Sequence, residues 1–370
     1  MVRGCTIYKG PGLVERETPP DARPSLHRGG QRELITPLAG LAEGSCCRRA
    51  GIAALLYNNG CLVMGQTFQN EPVPANIVGG VPPARGIIAK LRTTLEMIKF
   101  EHSVFALPFA LTGAMLAVRG WPTWRHLLWL ILAMVGARSA AMTFNRIADL
   151  KLDALNPRTR LRALPTGQIS LRFALGFTLL SCGLLVLAAH ELNPLAFKLS
   201  PLVLAVLIVY SYTKRFTVLS HVVLGSCLGM SPIAAWIALR GEVSLSVLLL
   251  GGAVTLWTAG FDIIYACQDV EFDKALGLHS VPRRYGITVA LYASAILHVL
   301  MLGLLVTVAW RENLGWIALA GLVVVACLLA YEHALVKPSD LSKVNAAFFN
   351  VNGYVSVLFF VTWAADILIH

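Results

Sequence analysis

The chain has 370 residues, of which 56% are hydrophobic and only 14% are charged, and its formal net charge is +11. Soluble domains carry about 25% charged residues, so this composition excludes an ordinary soluble protein and indicates a membrane protein. The basic residues gather in loops between apolar segments, which is typical of orientation signals and of an anionic ligand. We therefore expect the lipid bilayer as a partner, no nucleic acid and no obligate protein partner.

The first 94 residues differ from the rest because they are rich in Gly, Pro and Arg and have no sustained hydrophobic period. The apolar run at 50–65 is short and is interrupted by Asn58 and Asn59, so it predicts no membrane span. We predict a disordered cytoplasmic extension over residues 1–94, unless the true start lies further downstream, for example at Met97. Residues 95–370 are predicted to form one membrane domain.

From about residue 100 the chain is a succession of apolar runs, each near the length of about 20 residues that a helix needs to cross the hydrocarbon core. This pattern predicts an all-α, polytopic membrane protein with nine transmembrane helices. The predicted spans centre on residues 105–118, 127–143, 171–189, 195–210, 222–239, 245–264, 289–310, 314–335 and 344–369.

The loops after the second, fourth, sixth and eighth spans carry most of the Lys and Arg residues, whereas the alternate loops carry few. By the positive-inside rule the first set is cytoplasmic, which places the N-terminus inside and His370 outside. We predict a multi-pass protein of the cell inner membrane. Four tryptophans near the opposite ends of the spans suit an interfacial belt, namely Trp121, Trp124, Trp310 and Trp316.

A stripe of polar residues ends the second predicted span, at its cytoplasmic boundary. At about 100° per residue, Arg138, Asn145 and Asp149 lie within roughly 40° of one another, and Asp153 lies about 40° further on. One helical face thus carries an arginine, an amide and two carboxylates in successive layers.

The end of the sixth predicted span repeats this spacing, with Asp262, Asp269 and Asp273 on one face. Each stripe is followed by a basic loop that contains proline, and the two lie four spans apart, which indicates an internal duplication. A single aspartate at a helix end is usually a cap or a solvated charge. Two matched stripes at the same membrane boundary predict a shared function instead.

Several carboxylates on one helical face at a membrane boundary repel one another, unless a cation lies between them. Mg²⁺ prefers oxygen ligands, takes one or two carboxylates per site, and completes its shell with phosphate oxygens and water. Two facing stripes therefore predict Mg²⁺ ions that bridge a diphosphate, with nearby Arg and Lys neutralising its remaining oxygens.

The motif N-x-x-x-D-x-x-x-D at Asn145, Asp149 and Asp153, with D-x-x-x-D at Asp269 and Asp273, resembles the UbiA superfamily of intramembrane prenyltransferases. Segments at 105–110, 156–159 and 210–215 agree, and the resemblance covers about residues 95–370. It looks closest to the 4-hydroxybenzoate polyprenyltransferase branch. Within that branch the chain is similar to the subgroup assigned to the futalosine route of menaquinone biosynthesis, which prenylates 1,4-dihydroxy-6-naphthoate.

The resemblance implies helices arranged around a central cavity, Mg²⁺ dependence, and transfer of a polyprenyl group from a polyprenyl diphosphate to an aromatic acid in quinone biosynthesis. It assigns catalytic, metal-binding roles to Asn145, Asp149, Asp153, Asp269 and Asp273. It also places Arg138 and Lys214 on the diphosphate, and it implies less defined substrate-binding roles for Asp262 and Tyr265.

Two arginines in the loop after the first stripe, Arg158 and Arg162, are candidates for binding the acceptor. An aromatic acid carries a carboxylate, which the planar fork of arginine matches with two hydrogen bonds. The two residues are four apart, so they share a face if their segment is helical. We predict that they bind the acceptor carboxylate; diphosphate binding and an orientation signal are the alternatives.

Other functions agree with parts of the sequence. The same fold acts on other acceptors, such as haem, a chlorophyllide, homogentisate or a glycerol ether. A cation-coupled transporter would use membrane carboxylates as a relay, but it predicts paired broken helices near the bilayer midplane, whereas both stripes lie at cytoplasmic ends. A structural subunit without activity would explain neither stripe.

Overall fold

The computed structural model describes residues 54–57, 61–64, 86–98 and 105–370. The chain divides into two units, Met1–Glu71 and Pro72–His370. Most of the predicted extension, and with it the prediction of disorder, lies outside the described residues.

In the first unit, strands β1 (Ala54–Tyr57) and β2 (Cys61–Met64) form an antiparallel hairpin in which Ala54 pairs with Met64. The second unit is built from helices. In chain order they are α1 (Ile87–Met97), α2 (Leu107–Val118), α3 (Trp124–Ala148), α4 (Leu150–Leu155), α5 (Leu171–Leu192), α6 (Pro194–Thr213), α7 (Ser220–Arg240), α8 (Leu245–Ala266), a 3₁₀ turn (Cys267–Asp269), α9 (Val270–Ala275), α10 (Val281–Tyr285), α11 (Ile287–Arg311), α12 (Trp316–Leu335), α13 (Val344–Ala346), a π turn (Ala347–Val351) and α14 (Asn352–Ile369).

Eight helices of the described chain are long and apolar enough to cross a membrane, which confirms the predicted α-helical membrane fold. They are α3, α5, α6, α7, α8 with its continuation to Ala275, α11, α12, and the segment Val344–Ile369.

The first predicted span is shorter than expected: α2 has 12 residues. At 1.5 Å per residue it is about 18 Å long, against about 30 Å of hydrocarbon. The prediction of nine spans therefore corresponds to eight long helices and one short apolar helix.

Helix α1 begins at Ile87, ahead of the domain boundary that the sequence predicts at residue 95. Its Thr94 and the following Ile98 are buried. The second unit therefore includes the last part of the predicted extension.

Glycines allow α2, α7 and α8 to pack closely. A Cβ atom on Gly113 of α2 would lie 2.5 Å from the carbonyl oxygen of Pro232 in α7, and a Cβ on Gly225 of α7 would overlap the carbonyl oxygen of Thr255 in α8. Small residues of this kind are typical of tightly packed membrane helices. They hold α8, the most buried span and the one that carries the second stripe, against its neighbours.

A buried polar network joins α8 to the last helices. The Trp257 indole donates to Asn352 Oδ1 at 2.7 Å, and the Asn352 amide donates to Glu332 Oε1 at 2.7 Å. His298 Nδ1 of α11 lies 3.8 Å from the other oxygen of this carboxyl group and 3.0 Å from His333 Nε2 of α12. Because Trp257, Asn352 and Glu332 are fully buried, these bonds fix how α12 and α14 pack against α8.

Candidate active site

The first polar stripe lines a cavity of about 540 Å³ near the C-terminal ends of α3, α6 and α8. Arg138, Asn145, Asp149 and Asp153 all border this cavity. Helix α3 ends at Ala148, but the hydrogen bonds from Asp149 N to Asn145 O (2.9 Å) and from Asp153 N to Asp149 O (2.7 Å) continue the helical repeat into α4. The structure thus brings all four side chains of the stripe to one cavity.

The second stripe borders the same cavity with Asp262, Tyr265 and Asp269, but Asp273 does not line it. The 3₁₀ turn at Cys267–Asp269 advances the chain by about 120° per residue instead of about 100°, which rotates α9 by about 60° relative to α8. The predicted common face is therefore wrong for Asp273, and its role as a metal ligand stays a prediction.

The first aspartate of the D-x-x-x-D pair has the same backbone conformation in both motifs. Asp149 has φ −94° and ψ 8°, and Asp269 has φ −102° and ψ 9°. Each is followed by a six-residue helix, α4 or α9, with the second aspartate at its fourth position. This geometry supports the internal duplication that the matched spacing indicates.

Each motif carboxylate that borders the cavity is paired with an arginine. The pairs are Arg215 Nη2 with Asp149 Oδ1 (3.2 Å), Arg162 Nη1 with both oxygens of Asp153 (2.7 and 2.8 Å), and Arg158 Nε and Nη2 with the two oxygens of Asp269 (3.2 and 2.7 Å). Arg158 also donates to the Tyr265 hydroxyl at 2.9 Å. The loops after the spans therefore supply the cations, and the span ends supply the carboxylates.

Arg158 and Arg162 do not share a helical face. Helix α4 ends at Leu155, and residues 157–169 form successive turns. As a result Arg158 reaches Asp269 of the second motif, whereas Arg162 reaches Asp153 of the first. The prediction that a helical segment lets the two arginines act together is wrong, and their proposed contact with the acceptor has no geometric support.

Asp273 is fully buried and holds Lys214 in place. Lys214 Nζ lies 2.8 Å from Asp273 Oδ1, and the Ser280 hydroxyl donates to Asp273 Oδ2 at 2.7 Å. The backbone N–H of His279 also donates to the Lys214 carbonyl at 2.7 Å. Because Lys214 borders the cavity, Asp273 influences the site by orienting this ammonium group.

Burial makes the carboxylates of the first motif costly to ionise. It raises the pKa of Asp153 to about 6, although the charge of Arg146 opposes the shift. Burial also raises the pKa of Asp149, although the hydrogen bond and the charge of Arg215 oppose this shift. Each carboxylate is therefore stabilised by any cation placed beside it.

In total, six Arg and Lys and five Asp and Glu side chains line the cavity, so its wall carries little net charge.

The oxygen donors of the site suit a hard divalent cation. Within the described residues, no group of three or more His, Cys, Asp and Glu side chains is close enough to hold a metal ion unaided. Instead, Asn145, Asp149, Asp153 and Asp269 each present oxygen atoms along the cavity wall. Mg²⁺ needs only one or two carboxylates when phosphate oxygens and water complete its shell. These residues therefore fit a metal that binds together with a diphosphate.

A second cavity, of about 510 Å³, extends between α3, α5, α6 and α7 and has an almost entirely apolar lining. Five residues line both cavities, namely Arg138, Met142, Tyr210, Leu224 and Leu228. The two cavities therefore adjoin, and Arg138 lies where they meet. A molecule with an anionic head and a long apolar tail fits across this boundary.

Three residues that bond to cavity carboxylates were not identified from the sequence, namely Arg146, Arg215 and His221. Arg146 donates to Asp153 Oδ2 at 3.3 Å and directly follows Asn145 of the first motif. Arg215 donates to Asp149 and directly follows Lys214. The two consecutive basic residues after α6 could therefore have indicated that Arg215 belongs to the site. His221, near the start of α7, lies with Nδ1 2.7 Å from Asp262 Oδ2. No sequence signal marks it, because only the packing of α7 against α8 brings the two residues together.

Residues 106–354, which include both motifs, match the UbiA prenyltransferase family. The 4-hydroxybenzoate octaprenyltransferase of Photobacterium profundum is 31% identical over 291 residues, which cover 76% of this chain and 98% of the relative. The enzyme of the same name from Aliivibrio fischeri is 32% identical over 258 residues, which cover 68% of this chain and 88% of the relative.

Solved structures of UbiA homologues share the fold. The apo structure of a homologue from Aeropyrum pernix K1 superposes with a TM-score of 0.66 at 36% identity, covering 72% of this chain and 98% of that one. A homologue from Archaeoglobus fulgidus, solved bound to DMAPP and Mg²⁺, superposes with a TM-score of 0.60 at 22% identity, covering 74% and 99%.

Proposed function

Because the chain belongs to the UbiA prenyltransferase family, we propose that it transfers a polyprenyl group from a polyprenyl diphosphate to an aromatic hydroxy acid of the 4-hydroxybenzoate type, with Mg²⁺, in quinone biosynthesis. The chain is an integral membrane prenyltransferase, so the transporter and inactive-subunit alternatives are set aside. The identities of donor, acceptor and metal are the parts that we propose.

One observation carries the choice of donor: a cavity lined by charged groups adjoins an apolar cavity, and Arg138 lies at their boundary. A polyprenyl diphosphate has this division of properties, with a highly charged head and a hydrocarbon tail. The Archaeoglobus fulgidus homologue bound to DMAPP and Mg²⁺ supports the same donor chemistry and the same metal.

In the proposed mechanism, Arg138 and Lys214 bind the diphosphate. Asn145, Asp149, Asp153 and Asp269 would hold Mg²⁺, which when bound stabilises the charge that develops on the leaving diphosphate. Arg158, Arg162 and Arg215 already pair with these carboxylates, and arginine binds phosphate oxygens with the same two-pronged geometry. They are thus placed to move from carboxylate to phosphate as the donor enters.

The bond that breaks is the allylic C–O bond of the donor, and its electron pair leaves with the diphosphate. The ring carbon ortho to the phenolic hydroxyl of the acceptor then attacks the prenyl carbocation, and the ring loses a proton. The apolar lining of the second cavity keeps water away from the cation, which water would otherwise quench.

The names of the relatives support 4-hydroxybenzoate as the acceptor. The alternative acceptor is 1,4-dihydroxy-6-naphthoate, which also carries a phenolic hydroxyl and a free carboxylate. Other acceptors of the superfamily, such as homogentisate or haem, rank behind these two aromatic acids.

We also propose that the protein lies in the cell inner membrane with both motifs and the N-terminus at the cytoplasmic face and His370 outside. The basic loops that follow the motifs support this orientation. The tryptophans near the opposite helix ends support it too, because Trp121, Trp124, Trp310 and Trp316 are all exposed on the protein surface.

A direct test offers the purified protein, in lipid nanodiscs with Mg²⁺, a radiolabelled polyprenyl diphosphate and one acceptor at a time. We expect a ring-prenylated product from 4-hydroxybenzoate. Faster turnover of 1,4-dihydroxy-6-naphthoate would replace the acceptor but leave the reaction unchanged. Absence of product from both acids, with product from homogentisate, would replace the acceptor within the aromatic acids, whereas product from haem alone would overturn the proposed acceptor class.

A further inference from the structure

A histidine outside both motifs is bonded to a carboxylate of the cavity. His221 is the second residue of α7 and is only 3% exposed, and its Nδ1 lies 2.7 Å from Asp262 Oδ2. Both residues border the charged cavity. A buried histidine at this distance from a cavity carboxylate sets the direction of the carboxyl group.

The hydrogen bonds of His221 determine which ring nitrogen carries the hydrogen. The backbone N–H of Val281 donates to His221 Nε2 at 3.3 Å. A ring nitrogen that accepts a hydrogen bond is unprotonated, so the hydrogen of the neutral ring is on Nδ1 and is donated to Asp262. The Val281 backbone thus orients His221, and His221 in turn orients Asp262.

Asp262 differs from the motif carboxylates because its partner is a histidine and not an arginine or a lysine. Within the described residues, Asp149, Asp153, Asp269 and Asp273 each form an ion pair with Arg or Lys, whereas Asp262 pairs only with His221. Arginine bonds both oxygens of Asp153 and both oxygens of Asp269, whereas His221 bonds only Oδ2 of Asp262. Asp262 is therefore the cavity carboxylate best suited to accept a proton.

The position of Asp262 along α8 also separates it from the metal-binding end of the site. It precedes Asp269 by seven residues, which is about 10 Å along a helix at 1.5 Å per residue. This places Asp262 at the level of α8 that lies further into the membrane, beyond the end that carries Asp269. Asp262 borders the charged cavity but not the apolar one, and its partner His221 lies three residues before Leu224, which lines both cavities.

Building on the proposed function, we infer that Asp262 is the base that removes the aromatic proton and that His221 is the residue that positions it. After the ring carbon has bonded to the prenyl carbon, that ring carbon still carries its hydrogen. A carboxylate oxygen of Asp262 takes this hydrogen as a proton, and the electron pair of the broken C–H bond restores the aromatic ring. The hydrogen bond from His221 stays on Oδ2 throughout and keeps the other oxygen directed at the acceptor. Asp262 then releases the proton to solvent through the cavity.

The test compares 4-hydroxybenzoate with the same acid deuterated at both positions ortho to the hydroxyl. In the native enzyme we expect no isotope effect on kcat, because loss of the ring proton is fast once the base is in place. Asp262→Asn is expected to lower kcat about 100-fold or more and to make proton loss slow, so a normal primary isotope effect appears. Geranyl diphosphate affinity, measured without acceptor, is expected to stay unchanged.

His221 is tested with a matched pair of variants. His221→Leu removes the donor and is expected to lower kcat about 10-fold, with an isotope effect. His221→Asn places an amide N–H near the position of Nδ1 and is expected to restore most of the rate and abolish the isotope effect. A residue that only stabilised the fold would not make the rate sensitive to deuterium.

The outcomes separate this inference from the proposed function. If the native enzyme prenylates 4-hydroxybenzoate but Asp262→Asn keeps its kcat, or loses rate without an isotope effect, Asp262 is not the base and the proposed function stands. If His221→Asn is as slow as His221→Leu, the positioning role is wrong. If the native enzyme prenylates no aromatic acid, both are overturned.

Discussion

Arg158 donates hydrogen bonds to both carboxylate oxygens of Asp269, at 3.2 and 2.7 Å, although the two residues are 111 positions apart in the chain. Arg158 belongs to the loop after the first motif, and Asp269 is part of the second. The two halves of the site are therefore joined directly by protein atoms. The third donor of the same guanidinium reaches the Tyr265 hydroxyl, so one arginine bonds two side chains of the second stripe.

Arg158→Ala is expected to lower kcat/KM for the polyprenyl diphosphate about 10- to 100-fold, because Asp269 loses the group that orients it. Arg158→Lys should not restore the rate, since a single ammonium cannot bond both carboxylate oxygens and the tyrosine hydroxyl together. Steady-state kinetics in nanodiscs measures kcat/KM for the polyprenyl diphosphate in both variants. The control is Arg160→Ala, an exposed arginine of the same loop, which should behave as the native enzyme. Full activity in Arg158→Lys would contradict the orienting role.

Arg162→Ala is expected to raise the KM of the prenyl diphosphate and to leave the KM of the acceptor nearly unchanged. The structure supports this direction because Arg162 is bonded to both oxygens of Asp153, on the metal and diphosphate side of the cavity. Separate titration of the two substrates provides the measurement. A selective rise in the acceptor KM would instead assign Arg162 to the acceptor carboxylate.

Asp149→Ala and Asp269→Ala should each lower the rate at least about 100-fold, as the loss of other electrostatic stabilisers does. Removal of divalent cations with EDTA should abolish activity in the native enzyme, and added Mg²⁺ should restore it. Asp340→Ala, at an exposed position between α12 and α13, is the matched control. Turnover that persists in EDTA would rule out the metal, and a near-normal rate in either variant would remove that residue from the site.

Deletion of residues 1–71 should leave activity unchanged, because the second unit begins at Pro72 and the described lining of the cavity begins at Glu96. Deletion of residues 1–98 should abolish activity, since it also removes α1 and the residue after it, and with them Glu96, Met97 and Ile98 of the cavity wall. Activity is normalised to the amount of protein in the membrane. Loss of activity in the shorter deletion, at normal membrane levels, would give the first unit a function.

Asn352→Leu should destabilise the protein by about 2 kcal/mol, because it leaves the buried Trp257 N–H and one oxygen of Glu332 without partners. A lower melting temperature in detergent, measured by intrinsic tryptophan fluorescence, checks this. Asn350→Leu, two residues earlier and exposed, is the control and should melt like the native protein. Equal melting temperatures for all three proteins would show that the network adds no stability.

The sequence predicts the membrane fold and the first stripe well because both depend on local periodicity. Asn145, Asp149 and Asp153 follow one another on an almost unbroken helical repeat, so helical geometry alone brings them to one face. Asp273 departs from its predicted face because a 3₁₀ turn intervenes, and no residue pattern in that segment marks the change in pitch.

The partners of the carboxylates could not be predicted in the same way. The bond between Arg158 and Asp269 and the bond between His221 and Asp262 join residues 111 and 41 positions apart. Such pairs depend on how α7, α8 and the loop after α4 pack together, which periodicity does not describe. Residues 157–169 form consecutive turns and not the helix that would have placed Arg158 and Arg162 side by side.

Six basic and five acidic side chains line the charged cavity, so an ionic ligand that enters it must exchange partners with ion pairs that already exist. In the proposed function, Arg158, Arg162 and Arg215 would exchange a carboxylate partner for a phosphate oxygen when the donor binds, and the released carboxylates would be available to a divalent cation. Because the negative charge of a diphosphate and the positive charge of a divalent cation would enter together, the net charge enclosed by the wall would change little. Entry of the proposed donor would then depend on how readily the pairs Arg158–Asp269, Arg162–Asp153 and Arg215–Asp149 open.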